Sequence, residues 1–366
     1  MNTKKKVYVG LSGGVDSSVA ALLLIEMGYE VTGVFMKNWS DCDWISEERW
    51  AKKAAAHMGI PMETWDFEKE YKEKVLSNFY DEYKNGRTPN PDILCNKFIK
   101  FDLFLRRALE EGADIIATGH YAKVADTTLY RGHDVNKDQS YFLYTLTKDQ
   151  LSHVLFPLED LTKPQVRELA KNAKLPNSDK KDSQGICFVG AIDVKSFLEK
   201  NIGKKPGNII DVEGTVLGSH DGVQFYTEGQ REGLFLGGLK QPHYIAFKDM
   251  KDNILIATEK DHPLLYTKKV IVKNVHITNG KTLPEKVCVK IRYRQPDQKA
   301  TVVQNGHDLE ITFDELQYSV SEGQSAVLYK GNEVLGGGII DYVERDEALV
   351  ELIKKRFNES HAISRN

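Results

Sequence analysis

The chain has 366 residues, of which 41% are hydrophobic and 28% charged, and a formal net charge of −3. That length accommodates two or three domains around a sizeable core, and the composition is that of a soluble globular protein. The longest apolar run, ending at Ile25, is too short to cross a bilayer, and the glycine/serine turn near the start interrupts any signal peptide. No membrane partner is expected, and the cytosol is the expected compartment.

The first half alternates strand and helix. Val7-Tyr8-Val9 leads into a turn at Ser12–Asp16, followed by a helix over 17–27, a buried strand over 31–36 and a helix over 47–58. A helix over 98–110, a short strand over 115–118 and a helix from Pro164 continue the pattern. Such alternation predicts an α/β fold with a doubly wound parallel sheet, and ligands at the carboxyl ends of its strands. Composition changes near Gly203-Lys-Lys-Pro-Gly207. Short runs at 215–217, 223–226, 244–247 and 254–258 then predict a small, mostly β central domain. From Val270 to Val343, closely spaced strands broken by Asn279-Gly280, Asn305-Gly306 and Gly331-Asn332 predict a β-barrel. The expected domains are 1–203, 204–265 and 266–345, with a tail over 346–366.

Charge is unevenly spread. Lys268 to Lys299 holds nine basic and two acidic residues, so this segment carries +7 and the remainder −10. A local basic field on an acidic protein suits a polyanion. Period-2 alternation puts Lys290, Arg292 and Arg294 on one face with Cys288, and Val289, Ile291 and Tyr293 on the other.

Four cysteines, Cys42, Cys95, Cys187 and Cys288, show neither a Cys-x-x-Cys pair nor zinc-ligand spacing, so no protein metal site is expected. The strongest local signal is Gly10-Leu11-Ser12-Gly13-Gly14-Val15-Asp16-Ser17-Ser18. It follows a strand and opens a helix, where backbone N–H groups and the helix dipole favour phosphate. It lacks the Gly-Lys-Ser/Thr of a Walker A loop. Asp16 is a candidate to help hold Mg2+ beside a pyrophosphate.

The segment Asn90-Pro91-Asp92-Ile93-Leu94-Cys95 places Asp92 within reach of a group bound beside Cys95. It also places Cys95 near a helix N-terminus, where the macrodipole is expected to lower the thiol pKa; the alternatives are a buried thiol at Cys95 and a helix cap at Asp92. Ser183-Gln184-Gly185-Ile186-Cys187-Phe188 follows a polar, lysine-rich stretch; alone it also reads as a short buried strand.

The loop resembles the PP-loop of the ATP pyrophosphatases. Together with the two cysteine segments it resembles the tRNA-specific 2-thiouridylase family. The likeness extends through Phe35-Met36-Lys37-Asn38-Trp39, Ala117-Thr118-Gly119-His120-Tyr121, Lys137-Asp138-Gln139-Ser140-Tyr141, Gly229-Gln230-Arg231, Arg292-Tyr293-Arg294-Gln295 and Gly323-Gln324-Ser325. It implies a sulfurtransferase that adenylates the C2 carbonyl of the wobble uridine of tRNA, using ATP and Mg2+, and replaces its oxygen with persulfide sulfur. Gly10, Leu11, Ser12, Gly13, Gly14, Val15, Asp16 and Ser17 would bind the ATP phosphates, and Met36 and Gly119 would line the nucleotide pocket. Asn90, Pro91 and Asp92 would meet the target base, with Asp92 as acid/base. Cys187 would carry the sulfur and Cys95 would release it through a disulfide with Cys187. His120, Lys137, Asp138, Gln139, Arg292, Tyr293 and Gln324 would contact tRNA. The implied partners are the anticodon stem-loops of the Lys, Glu and Gln isoacceptors and a persulfide relay protein. The rival readings are a PP-loop synthetase adenylating a small molecule, which needs neither cysteine, and a tRNA-binding module without catalysis.

Overall fold

A computed structural model describes residues 4–40, 43–181, 194–234 and 236–363. The segments with Cys42 and with Ser183–Gly190, including Cys187, lie outside the described residues.

The chain opens with strand β1 (Lys6–Gly10), helix α1 (Val15–Glu26), strand β2 (Glu30–Lys37), helix α2 (Trp44–Met58) and strand β3 (Met62–Asp66). Strands β4 (Ile115–Ala117) and β7 (Val154–Leu155) complete a parallel sheet of order β3-β2-β1-β4-β7. β1 lies between β2 and β4, with Val7 opposite both Val31 and Ile115. The sheet is apolar on both faces. Val9, Leu11, Leu24 and Ala51 fill one side; Trp65, Phe104 and Ile116 fill the other. The chain turns from one wing of the sheet to the other beside β1, which is where doubly wound sheets bind ligands.

Local chemistry sets the helix ends. Asp43 caps α2 by accepting from the Ser46 N–H at 3.4 Å, and Gly59 closes it in the left-handed conformation. Helix Lys163–Asn172 starts with a Thr162/Gln165 capping box and Pro164 in its first turn. The helix beginning at Pro91 is capped by Asn90 and turns π-helical over Asn96–Leu103, directly after Cys95, before running on through Phe104–Glu110. Long π stretches are rare and frequently accompany functional sites.

The central domain is a sheet of β8 (Gly207–Ile210), β9 (Val216–His220), β10 (His243–Asp249) and β11 (Ile254–Glu259) in the order β10-β11-β8-β9. The strand expected over 223–226 is instead a 3₁₀ turn at Val223–Phe225. All four residues from Val223 to Tyr226 are buried, which a half-exposed strand would not allow. The C-terminal helix Glu347–Ile363 seals this domain with Val350, Ile353 and Phe357 against Ile210, Ala246, Ile254 and Ile256. Lys354 clamps it by pairing with Asp249 at 2.6 Å. Truncating the buried ring in Phe357→Ala is expected to cost about 3–5 kcal/mol, measured as a lower urea midpoint.

Strands β12 (Tyr266–Ile277), β13 (Lys286–Lys290), β14 (Gln298–Asn305), β15 (Asp308–Tyr318), β16 (Ser325–Lys330) and β17 (Glu333–Val343) form a six-stranded barrel, closed by β12 pairing with β17. A hairpin from the first half of the chain, β5 (Ala122–Ala125) and β6 (Thr128–Arg131), extends its sheet, with Tyr130 opposite Glu333. The expected basic face does not form. β13 ends at Lys290, and Arg292–Arg294 lie in a turn, so alternation does not continue past that point. Lys290 itself is buried, with its ammonium over the Tyr329 ring and 4.0 Å from Asp138. Lys269 and Lys273 are paired with Glu310 and Asp341, both at 2.7 Å. Among the described residues, no helix is long and apolar enough to cross a membrane.

Candidate active site

The site has two parts. The first is the loop between β1 and α1. Gly13 turns the chain at φ +80°, and a Cβ there would collide with the carbonyl oxygen of Glu47 in the first turn of α2. The serines knit the loop to the helix. Ser17 Oγ receives the Ser12 N–H at 3.2 Å, while the hydroxyls of Ser17 and Ser18 both donate to the Gly14 carbonyl at 3.1 Å. Gly119, just after β4, lies against the start of α1; a Cβ on it would come within 2.7 Å of the Ser17 nitrogen. Met36 reaches across from β2 to Gly10, its methyl carbon 3.0 Å from where a Gly10 Cβ would stand. The loop residues, Met36 and Gly119 are therefore brought together at the carboxyl edge of β2, β1 and β4.

Three polar residues close on this loop that sequence reasoning missed. Lys163 donates to Asp16 Oδ1 at 2.6 Å, and the Tyr121 hydroxyl donates to the same oxygen at 2.9 Å. Asn177, fully buried, donates to the Gly13 carbonyl at 3.0 Å and the Ser18 hydroxyl at 2.9 Å. Lys180 reaches Glu47 Oε2 at 2.5 Å and the Gly13 carbonyl at 3.4 Å. Lys163, Asn177 and Lys180 come from 149 or more residues down the chain after the loop's last glycine, so their only local signal is a lysine at a helix start and a polar, lysine-rich stretch.

The second part is the helix start at Asn90. Asn90 Oδ1 accepts the Asp92 N–H at 3.2 Å. The turn before it is fixed to the barrel. Arg87 pairs with Asp341 at 2.7 Å, the Thr88 N–H donates to the Glu322 carbonyl at 2.8 Å, and Gln324 Nε2 donates to the Thr88 carbonyl at 2.9 Å. Gln324 thus adjoins Asn90–Asp92. On the other side, Asn96 donates to the Phe142 carbonyl at 3.1 Å, and the Phe142 ring packs on Tyr293 at 4.5 Å. The Tyr293 hydroxyl donates to the Lys137 carbonyl at 3.2 Å. Arg292 donates to the Ser319 carbonyl. Asn90–Cys95, Gln324, Tyr293 and the Lys137 loop form one connected region where the first domain meets the barrel.

Other candidates are placed differently from a direct contact role. Asp138 is buried, and its Oδ1 accepts the N–H groups of Gly132 and Ser140 at 3.2 and 3.1 Å; Gln139 Oε1 accepts the Tyr121 N–H at 3.1 Å. His120 is buried against Phe101 and Phe156, shares a 2.7 Å hydrogen bond with Thr118, and is held neutral by burial. Asp138 and His120 support the loops around them.

Cys95 requires a correction. It is only 2% exposed, packed within the main apolar cluster. Burial pushes its thiol up to about 11; Lys100 opposes this and Asp92 adds to it. The expected lowering by the helix N-terminus is outweighed because desolvation of a buried thiolate exceeds the end-of-helix field.

A parallel sheet with a glycine-serine phosphate loop at its switch point, joined to a closed barrel, defines a nucleotide-using α/β protein with an appended β module. Family models match in the same order: a tRNA methyl transferase HUP domain over residues 5–191, a tRNA methyl transferase PRC-barrel domain over 195–259 and an aminomethyltransferase β-barrel domain over 267–340. The tRNA-specific 2-thiouridylase MnmA of Bacillus subtilis is 48% identical over 93% of this chain and 96% of its own length. The protein of the same name from Streptococcus mutans is 45% identical over 96% of this chain and 99% of its own. The chain belongs to the tRNA-specific 2-thiouridylase family.

Proposed function

We propose that this enzyme adenylates the C2 carbonyl oxygen of uridine 34 in tRNA and replaces that oxygen with sulfur, releasing pyrophosphate and AMP. What carries the reading is the joint presence of a phosphate loop and the Asn90–Cys95 helix start in a chain that runs with 2-thiouridylases over more than nine tenths of its length. Two matched models are described by methyl transfer, but a phosphate loop serves adenylation, and methyl transfer calls for none.

In this reading the loop residues Gly10–Ser17 hold the polyphosphate, with Met36 and Gly119 beside the nucleotide. Mg2+ bound with ATP needs one or two carboxylates besides phosphate oxygens and water. Asp16, in the first turn of α1, would be one of them, and the ion would neutralise charge on the departing pyrophosphate. A uracil C2 oxygen leaves poorly, and AMP on that oxygen makes it a leaving group. Asn90, Pro91 and Asp92 hold the flipped base, and Asp92 moves the proton. The terminal sulfur of a Cys187 persulfide attacks C2 and AMP departs. The Cys95 thiolate then attacks the Cys187 sulfur, so the S–S electron pair leaves with the thiouridine and a Cys95–Cys187 disulfide remains. An external thiol reductant resets the pair, and a persulfide-bearing relay protein reloads Cys187. Gln324, Arg292, Tyr293 and Lys137 face the anticodon stem-loop, with Asp138, Gln139 and His120 holding the loops behind them. The substrates are the Lys, Glu and Gln isoacceptors, and the reaction takes place in the cytoplasm.

The test is mass spectrometry of nucleosides from unmodified tRNA-Lys incubated with protein, ATP, Mg2+ and a persulfide-bearing relay protein as sulfur donor. ATP-dependent 2-thiouridine that is lost in Cys187→Ser is the expected result. No sulfur incorporation with tRNA bound and a relay protein supplied would favour the small-molecule synthetase.

A further inference from the structure

ATP brings about four negative charges to a loop that has no lysine of its own; one Mg2+ offsets about two of them, and the remainder calls for cations from elsewhere in the chain. Among the described residues, two ammonium groups reach the loop. Lys163 is 9% exposed and bonded to Asp16, and its own N–H is fixed to Asp134 Oδ2 at 2.8 Å; it belongs to the framework under α1. Lys180 differs in each respect.

Lys180 stands at the rim of the loop, its side chain 19% exposed. Its backbone is anchored on both sides. Its N–H donates to the Asn177 carbonyl at 3.0 Å, and its carbonyl accepts from Arg167 at 3.1 Å. Asn177 in turn is bonded to Gly13 and Ser18. Only the Lys180 side chain is left to move relative to the loop. Its ammonium lies 3.4 Å from the Gly13 carbonyl and 2.5 Å from Glu47 Oε2. Glu47 itself bears on the loop, with Oε2 within 3.2 Å of where a Gly13 Cβ would be. An anionic group of the protein therefore occupies the approach to Gly13, neutralised by a lysine that a phosphate would attract more strongly.

We propose that Lys180 is a phosphate ligand of this enzyme, held in reserve by Glu47, and that ATP binding exchanges the Glu47 carboxylate for phosphate oxygens. The proposal rests on the ATP-dependent reading above and adds a residue to it. The exchange moves one ammonium by a side-chain rotation. It returns Glu47, already 37% exposed in its side chain, to solvent, so little desolvation opposes it.

The two partners then act with opposite sign on the same equilibrium. Removing the lysine weakens polyphosphate binding, whereas removing the competing carboxylate strengthens it. Isothermal titration with α,β-methylene-ATP and Mg2+, which binds without being cleaved, reads both. Lys180→Gln is expected to bind about 10- to 100-fold more weakly, Lys180→Arg close to wild type, and Glu47→Gln several-fold more tightly. AMP, lacking the β and γ phosphates, should bind Lys180→Gln and wild type alike, as should tRNA, which a merely structural defect would not spare. Lys180→Gln within twofold of wild type, or weaker binding by Glu47→Gln, overturns the proposal. If Lys180→Gln does not fold, the sign of the Glu47→Gln effect still decides it. Failure of the wild-type protein to bind the analogue would overturn the ATP-dependent reading itself, an outcome distinct from an unaffected Lys180→Gln.

Discussion

Gly13→Ala is expected to lower ATP-dependent tRNA thiolation at least about 100-fold while leaving the protein folded. Two effects combine at this position. A φ of +80° costs an L-residue about 1–2 kcal/mol, and the added methyl would meet the Glu47 carbonyl, a backbone atom that cannot rotate away. The loop must shift, and its N–H groups lose their aim at the phosphates. Gly28 supplies the control. It has a φ of +88° just past α1 with nothing within 4 Å of a would-be Cβ, so Gly28→Ala carries the backbone cost without the collision. It should lose thermal stability and keep its rate. Thiolation assays and melting curves on both variants separate strain from misplacement. Equal activity in Gly13→Ala and wild type would remove the loop from the mechanism.

Alkylation of Cys95 is expected to be slow in the free protein and fast in the tRNA complex. With the thiol at about 11, roughly one molecule in 3,000 carries a thiolate at pH 7.5, against about one in ten for an ordinary thiol. Higher intrinsic nucleophilicity recovers about tenfold of that difference, leaving Cys95 about 30-fold slower before shielding by the packed cluster is counted. Its rate should rise tenfold per pH unit through the neutral range. A thiol that attacks a persulfide during turnover cannot stay in this environment, so tRNA binding should accelerate its labelling by iodoacetamide at least tenfold. Peptide mass spectrometry with half-buried Cys288 as internal reference reads this directly. Unchanged Cys95 labelling with tRNA bound would count against it as the nucleophile.

The parallel sheet and the loop were legible because both are local. A strand, a glycine turn and a helix within 21 residues announce themselves by pattern. The same holds for Asn90–Cys95, where cap, proline and helix follow one another. Legibility failed where tertiary packing sets the outcome. The Cys95 thiol sits at a helix start, as expected, but the apolar cluster around it dominates its ionisation. The alternation through Lys290 broke because β13 ends there and the chain bends from Ile291 onward. Val223–Tyr226 has strand-forming residues and is buried on every side. Lys163, Asn177 and Lys180 met the loop only when the chain folded back on it. The tail's sequence has an amphipathic stretch at Leu349, Leu352, Ile353 and Phe357; Leu352 stays exposed, the other three pack on the central sheet, and nothing in the stretch named that sheet as the partner.

The hairpin of Ala122–Arg131 bears on the order in which the chain folds. Its partner strand is about 200 residues away, and the Arg87–Asp341 pair spans 254. Contacts of such sequence separation form after local ones, since the loop they close must be ordered first. The parallel sheet and the barrel can each nucleate on nearby strands, but the seam between them, which carries Asn90, Asp92 and Gln324, is expected to assemble last. Until then the Thr128–Arg131 strand offers an unpaired edge. An isolated first half would keep that edge permanently and is expected to self-associate, so the two halves are one folding unit in practice although each has its own core.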